Sequence, residues 1–164
     1  MPRSGKIERR QTSADPIYQN PQVTKFINKI MVSGKKSLAQ KIVYETFENI
    51  KKQGQDPIET FEKALDNIAP KMEVRPRRVG GASYMIPMEV RGSRRQSLAL
   101  TWLVTAARNR SAKEVERLKN KPLMISKLTV EILEAAQGRG KAVSKREEMN
   151  RMAEANKAFA QFRW

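Results

Sequence analysis

The groups of this sequence best placed to do chemistry are basic side chains in pairs. Lys35-Lys36, Arg94-Arg95 and Lys145-Arg146 each fall in or beside the first turn of a segment with helical spacing. A helix N-terminus is the positive end of the macrodipole, so a cation there is unfavourable by roughly 0.3–1 kcal/mol. Three such pairs make physical sense when an anion sits at those ends, because backbone N–H groups, dipole and side-chain cations then converge on phosphate. The plainer alternative is that one residue in five is basic, so pairs fall anywhere and stay solvated. A second group is Arg75, Arg77 and Arg78, just before Gly80-Gly81, with Arg91 further on. A two-stranded ribbon carrying arginines fits a nucleic-acid groove without discriminating DNA from RNA. Charge and proline also defend exposed strand edges, which is the ordinary explanation for such a pattern. The third group, Arg3, Lys6, Arg9 and Arg10, lies in the first 14 residues.

Other chemistries lack their residues. The 164 residues include no Cys and no His, which removes thiolate nucleophiles, zinc fingers, disulfide frameworks and the usual general base near neutral pH. Glu45, Glu48, Glu59, Glu62, Glu131 and Glu134 recur at helical spacing among lysines, the pattern of a solvated face. Gly80-Gly81 and Gly138-Arg139-Gly140 make no phosphate-loop motif, and Met31, Met72, Met85, Met88, Met149 and Met152 read as adaptable packing. The expectation is a protein with no catalytic residue, cofactor, metal site or small-molecule substrate.

The formal net charge of +16 makes a polyanion the expected partner, since each surplus cation repels the others on a folded surface. An anionic membrane competes with nucleic acid, but no apolar run approaches the ~20 residues of a span, and no signal peptide or organellar presequence is evident. The chain reads as soluble and intracellular. Its charge is uneven: residues 71–95 hold seven cations against two carboxylates, and residues 135–157 six against three, while residues 41–70 hold six carboxylates against four cations.

The elements that must position these groups follow from periodicity. Residues 1–14 have no apolar period and read as a disordered basic arm, with a single domain over 15–164. Asn20-Pro21 opens a helix with Val23, Phe26, Ile27 and Ile30 on one face, ended by Gly34. A second runs from about Lys35 to Gln53 with Leu38, Ile42, Phe47 and Ile50 inward and Gly54 as its stop. Asp56-Pro57-Ile58-Glu59 is a capping box for a third, with Ile58, Phe61, Leu65 and Ile68 inward. Between Lys71 and Val90 the period falls to two, which predicts a β-hairpin turned by the glycines, its base on the helices and its tip protruding. Ser93-Arg94-Arg95-Gln96 and Ser144-Lys145-Arg146-Glu147 read as capping boxes for two later helices. Between them Ser111 to Gln137 is helical with a break near Lys121, ahead of Pro122. Aromatics are 6% of the chain and mostly on core stripes, which argues against base-stacking modes of reading single strands. Tyr84 on the ribbon is the exception, and Phe162-Arg163-Trp164 reads as a hydrophobic anchor for the last helix, with a stacking and cation contact on RNA as the alternative.

These residues leave an architectural DNA-binding protein and a basic RNA-cleaving enzyme as rivals to a structural RNA-binding protein. Four separated motifs narrow the choice. Phe26-Ile27-Asn28-Lys29-Ile30-Met31 with Gly34-Lys35-Lys36-Ser37, then Arg77-Arg78-Val79-Gly80-Gly81, Arg95-Gln96-Ser97-Leu98-Ala99-Leu100 and Met152-Ala153-Glu154-Ala155-Asn156-Lys157-Ala158-Phe159 resemble the family of the seventh protein of the bacterial-type small ribosomal subunit. The resemblance runs from about Asp15 to Trp164 and departs from the family pattern between Ser111 and Glu134.

The resemblance implies a mainly α domain of about six helices with a protruding two-stranded β-ribbon. It implies primary binding to the 3′ major domain of small-subunit ribosomal RNA, nucleation of head assembly, and a place at the subunit interface. The ribbon, with Arg77, Arg78, Gly80, Gly81 and Tyr84, would then lie near the exit-site transfer RNA and the messenger path. The ninth and eleventh proteins of the subunit are the implied neighbours, in the ribosomes of a bacterial cytoplasm or of an organelle. Lys35-Lys36, Arg77-Arg78 and Lys145-Arg146 match RNA-facing motifs, the N-terminal cations match as a basic arm, Arg75 rests on its place on the ribbon and Arg94-Arg95 on its helix start.

Overall fold

The computed structural model describes residues 5, 11–112 and 122–162. Three helices come first: α1 (Pro21–Ile30), α2 (Lys36–Lys52) and α3 (Pro57–Ile68). A hairpin of β1 (Met72–Val79) and β2 (Ala82–Glu89) separates them from α4 (Gly92–Asn109), α5 (Leu123–Ala136), α6 (Lys141–Ala155) and a 3₁₀ helix over Lys157–Phe162. The architecture is thus mainly helical with one antiparallel pair of strands among the described residues. The basic arm expected over residues 1–14 and the break near Lys121 lie largely outside the described residues.

Local chemistry explains most boundaries. Asn20 accepts from the Gln22 amide at 2.8 Å, and Asp56 from the amides of Ile58 and Glu59 at 2.8 and 3.1 Å, with Pro21 and Pro57 at the first helical positions. Glu59 pairs with Lys63 at 2.6 Å, one turn on. Helix α1 stops at Ile30, short of Gly34; Ser33 and Gly34, at φ of 52° and 72°, reverse the chain into α2. Gly80 and Gly81, at φ of 59° and 89°, form the two-residue turn that joins Val79 to Ala82, a conformation that glycine adopts without strain.

The core is one cluster drawn from all six helices, centred on Phe26, Phe47, Phe61, Ile27, Ile50, Leu103, Ile125, Leu128 and Ile132. Ring centroids lie 5.0 Å apart for Phe26 and Phe61 and 5.6 Å for Phe47 and Phe61, tilted in both pairs. Helix α5 packs on α2, α3, α4 and α6, which is why its buried residues include Ser126, Thr129 and Glu131 beside its aliphatics. Leu38, expected inward, is 47% exposed because Ala39, Ile42 and Val43 take the inner stripe of α2. The turn before α1 is tied down by Asp15, which accepts from the amides of Ile17 and Tyr18 and from the Tyr44 hydroxyl at 2.8 Å. Burial and the Asp15 bond push the Tyr44 phenol up to about 12.

Two helix starts differ from expectation. Helix α4 begins at Gly92 with Arg91 as its cap residue, and α6 at Lys141 with Gly140; neither has a side-chain cap from its own residue, so Ser93 and Ser144 are not caps. For α6 the cap comes from another helix. The Glu131 carboxylate of α5, fully buried, accepts from the Ala142 amide at 3.0 Å through Oε1 and from Arg110 at 2.5 Å through Oε2. Arg110, at the end of α4, also bonds Glu134. Those bonds to Glu134 and Glu131 raise the guanidinium above its ordinary pKa against the opposing effect of burial, so it stays charged. Glu131 and Glu134 therefore do not form the solvated face expected from their spacing. Gly140 fits here because a side chain would press on both carboxylates, 3.2 Å from the position of its Cβ.

Arg110→Met should cost about 3–5 kcal/mol of unfolding free energy in a denaturant titration, since it strands the buried Glu131 charge. Glu134→Gln, at a position 37% exposed, should cost no more than about 1 kcal/mol.

Candidate nucleic-acid interface

The cations fall into two populations once their partners are read. One population closes helix ends. Arg108 donates to the Ile30 carbonyl at 3.1 Å, and Arg146 to the Asn67 carbonyl at 2.6 Å, so each satisfies an acceptor at the end of α1 or α3. Lys127 does the same for the Arg108 carbonyl at 3.2 Å. These are residues that sequence reasoning missed, or, for Arg146, assigned to RNA. The signal lay in distance: the carbonyl partners of Arg108 and Arg146 are 78 and 79 positions away.

The Lys145-Arg146 pair also loses its premise as a helix-end pair. With α6 starting at Lys141, the two residues sit in the second turn, where Lys145 pairs with Glu148 at 2.6 Å. Lys35-Lys36 keeps the premise. Lys35 is the cap residue of α2 and Lys36 its first helical residue, both exposed, and no side chain caps the first amides from Lys35 itself. Arg94 and Arg95 lie within the first turn of α4, Arg94 exposed and Arg95 half-buried in a groove that also holds Glu62 and Asp66.

On the ribbon, register separates what the sequence joins. Arg75 faces Ile86, Arg77 faces Tyr84 and Arg78 faces Ser83 across the strands. Successive side chains alternate, so Arg75 and Arg77 share the face of Tyr84 and Ile86, while Arg78 points to the other. On the first face Ile86 and Glu73 are buried near the base of the ribbon; on the other Pro87 is buried near the base and Arg78 is exposed. Tyr84 is no open stacking platform: its ring lies 5.2 Å from Phe159 and 5.7 Å from Phe162 of the 3₁₀ helix. Of the C-terminal aromatics, Phe162 packs against Tyr84 of the ribbon, and Arg163 and Trp164 lie outside the described residues.

The buried position of β1 is the acidic Glu73, where an apolar residue would be expected, and it is 4% exposed. Its carboxylate accepts from Arg75 of the same strand at 2.5 Å and from Arg94 of α4 at 2.6 Å. Burial alone would raise this carboxyl, but the bonds from Arg94 and Arg75 outweigh it and hold the group below the ordinary range. Beside these three groups opens a cleft of about 520 Å³, lined by Arg75, Arg91, Arg94, Ser93 and Ser97 with Met88 and Glu89. Arg3, Lys6, Arg9 and Arg10 lie outside the described residues. No group of three or more His, Cys, Asp or Glu suited to a metal occurs among the described residues, and no described helix is long and apolar enough to cross a membrane.

A helical frame that spends some arginines on its own helix ends and presents other cations at the start of α2, on a ribbon and at a cleft defines a class: structural proteins whose surface suits a polyanion. Comparison with known proteins narrows the class to one family. A family model described as Ribosomal protein S7p/S5e matches residues 2–157. Small ribosomal subunit protein uS7 of Thermoanaerobacter sp. (strain X514) is 54% identical over 165 aligned positions, covering 100% of both chains. The proteins of the same name from Moorella thermoacetica and Desulfovibrio desulfuricans are 53% and 49% identical, again over 100% of each chain. The chain belongs to the ribosomal protein S7p/S5e family, and it is a structural ribosomal protein rather than an enzyme.

Because a lone two-stranded ribbon is marginal in water, the aromatic cover from the 3₁₀ helix should govern its order. Replacing Phe159 and Phe162 together by Ala should speed amide hydrogen exchange across β1 and β2 while leaving exchange in α5 unchanged. Equal exchange in the ribbon would mean that its base alone holds it.

Proposed function

We propose that this chain is a primary RNA-binding constituent of the small ribosomal subunit, which binds the 3′ major domain of the ribosomal RNA and nucleates assembly of the subunit head. It lies at the subunit interface, with the tip of the ribbon near the exit-site transfer RNA and the messenger path, and beside the ninth and eleventh proteins. The observation that carries the reading is the end-to-end identity of about one half with bacterial proteins named small ribosomal subunit protein uS7. The exposed cations supply the means. Lys35, Lys36, Arg75, Arg78 and Arg94, with the half-buried Arg77 and Arg95, Lys145 and the N-terminal cations, position RNA through its phosphates. With few open aromatics, recognition rests on the shape of folded RNA more than on stacked bases.

Two experiments test this. Tagged protein isolated from its own cells should sediment with small subunits. In solution, the logarithm of its affinity for a 3′ major domain transcript should fall linearly with the logarithm of salt. Lys35→Gln with Lys36→Gln should lower both the affinity and that slope, by roughly 0.7–0.9 for each phosphate no longer neutralised. Equal affinity for duplex DNA at matched salt would favour an architectural DNA-binding protein instead.

A further inference from the structure

Glu73 is an odd residue to bury in a protein that carries so much positive charge. Its side chain is 5% exposed, yet the two guanidiniums it binds, Arg75 and Arg94, are each 51% exposed. The arginines come from different elements, β1 and the first turn of α4, and each presents its Nε–H edge to a different oxygen of one carboxylate. Two like charges are thereby held side by side at the wall of the cleft that Arg91, Ser93, Ser97 and Glu89 also line, so three guanidiniums there face two carboxylates, Glu73 and Glu89. An arginine has five N–H donors in a planar fork, so a guanidinium bound to Glu73 through its Nε edge retains donors for a second anion. The cluster of one carboxylate and two guanidiniums keeps a net positive charge, and the first amides of α4 have no cap from Arg91. An anion in the cleft would therefore meet cations whose orientation is already set, with the entropy of ordering two long side chains removed in advance.

We propose that Glu73 is a positioning residue: from its buried site it sets Arg75 and Arg94 as a two-armed clamp for one RNA phosphate in the cleft between the ribbon base and the start of α4. The proposal rests on the RNA-binding reading above and names how one part of that surface works. It sets two expectations against each other. If Glu73 only subtracted from the positive field, Glu73→Gln would raise the net charge by one and tighten RNA binding. If Glu73 positions the clamp, the same change should weaken binding, because Arg75 and Arg94 each bond a separate carboxylate oxygen and an amide replaces one of the two with an N–H donor.

The test is binding of a 3′ major domain ribosomal RNA transcript by the full chain and by Glu73→Gln, across a series of salt concentrations. The expected result is affinity weaker by about tenfold or more, together with a salt slope smaller by roughly 0.7–0.9, the signature of one phosphate fewer held by the protein. Unchanged or tighter binding with an unchanged slope overturns the proposal. A merely structural role would lower the melting temperature without moving the slope, and that outcome also overturns it. Arg94→Lys covers the case in which Glu73→Gln does not fold: it keeps the charge and an ion partner for Glu73 but removes the fork, and should also weaken binding several-fold, whereas equal affinity overturns the clamp. Failure of the unaltered protein to prefer the transcript over duplex DNA overturns the RNA-binding reading itself, and the clamp with it.

Discussion

A single buried carboxylate ties three helices together. Glu131 has no exposure to solvent, so its charge must be met inside the protein, and it is met by Arg110 from the end of α4 and by the Ala142 amide at the start of α6. Removing one member of such a set leaves an uncompensated charge in a low dielectric, which costs far more than a surface pair gains. The arrangement therefore fixes where α6 begins and how it leaves α5, and Gly140 is the residue small enough to let it happen. Since α6 and the 3₁₀ helix after it support the ribbon, the placement of the most exposed β structure follows from a bond in the core.

The same physics sorts the remaining cations. Helix C-termini carry unsatisfied carbonyls and partial negative charge, so an arginine that reaches one gains a charge-assisted bond without needing a carboxylate. Arg108 and Arg146 work in this way, and they stabilise a chain whose net charge would otherwise favour expansion. What is left on the outside, at the start of α2, on the outer face of the ribbon and around the Glu73 cleft, is charge that a phosphate backbone can neutralise. A rigid frame matters for this, because folded RNA is recognised by the spacing of its phosphates, and cations on a loose scaffold would have to be ordered at the moment of binding.

Much of this is legible in the sequence wherever information is local. Asn20, Asp56, Pro21 and Pro57 act within four residues, and Gly80-Gly81 dictates its turn alone, so the first three helices and the hairpin follow from spacing. The errors occur where a distant residue overrides a local signal. Ser93 and Ser144 resemble caps, but α6 is capped by Glu131, eleven positions from Ala142 in sequence and on another helix. Glu131 and Glu134 resemble a solvated face because an (i, i+3) spacing among lysines does not reveal Arg110. Arg77-Arg78 resembles one unit because adjacency in sequence hides the alternation of a strand. Glu73 gives no signal at all: only register and the approach of α4 show that it is the buried position.

The division of the arginines into those that hold the frame and those that meet RNA is open to direct test in a high-resolution electron cryo-microscopy map of small subunits containing this protein. The expected map has ribosomal RNA phosphates within ion-pair distance of Lys35, Lys36, Arg78 and the Arg75 and Arg94 pair, with Arg108, Arg110 and Arg146 still bonded within the protein. Phosphates on Arg108, Arg110 or Arg146, with the first set turned to solvent, would contradict it.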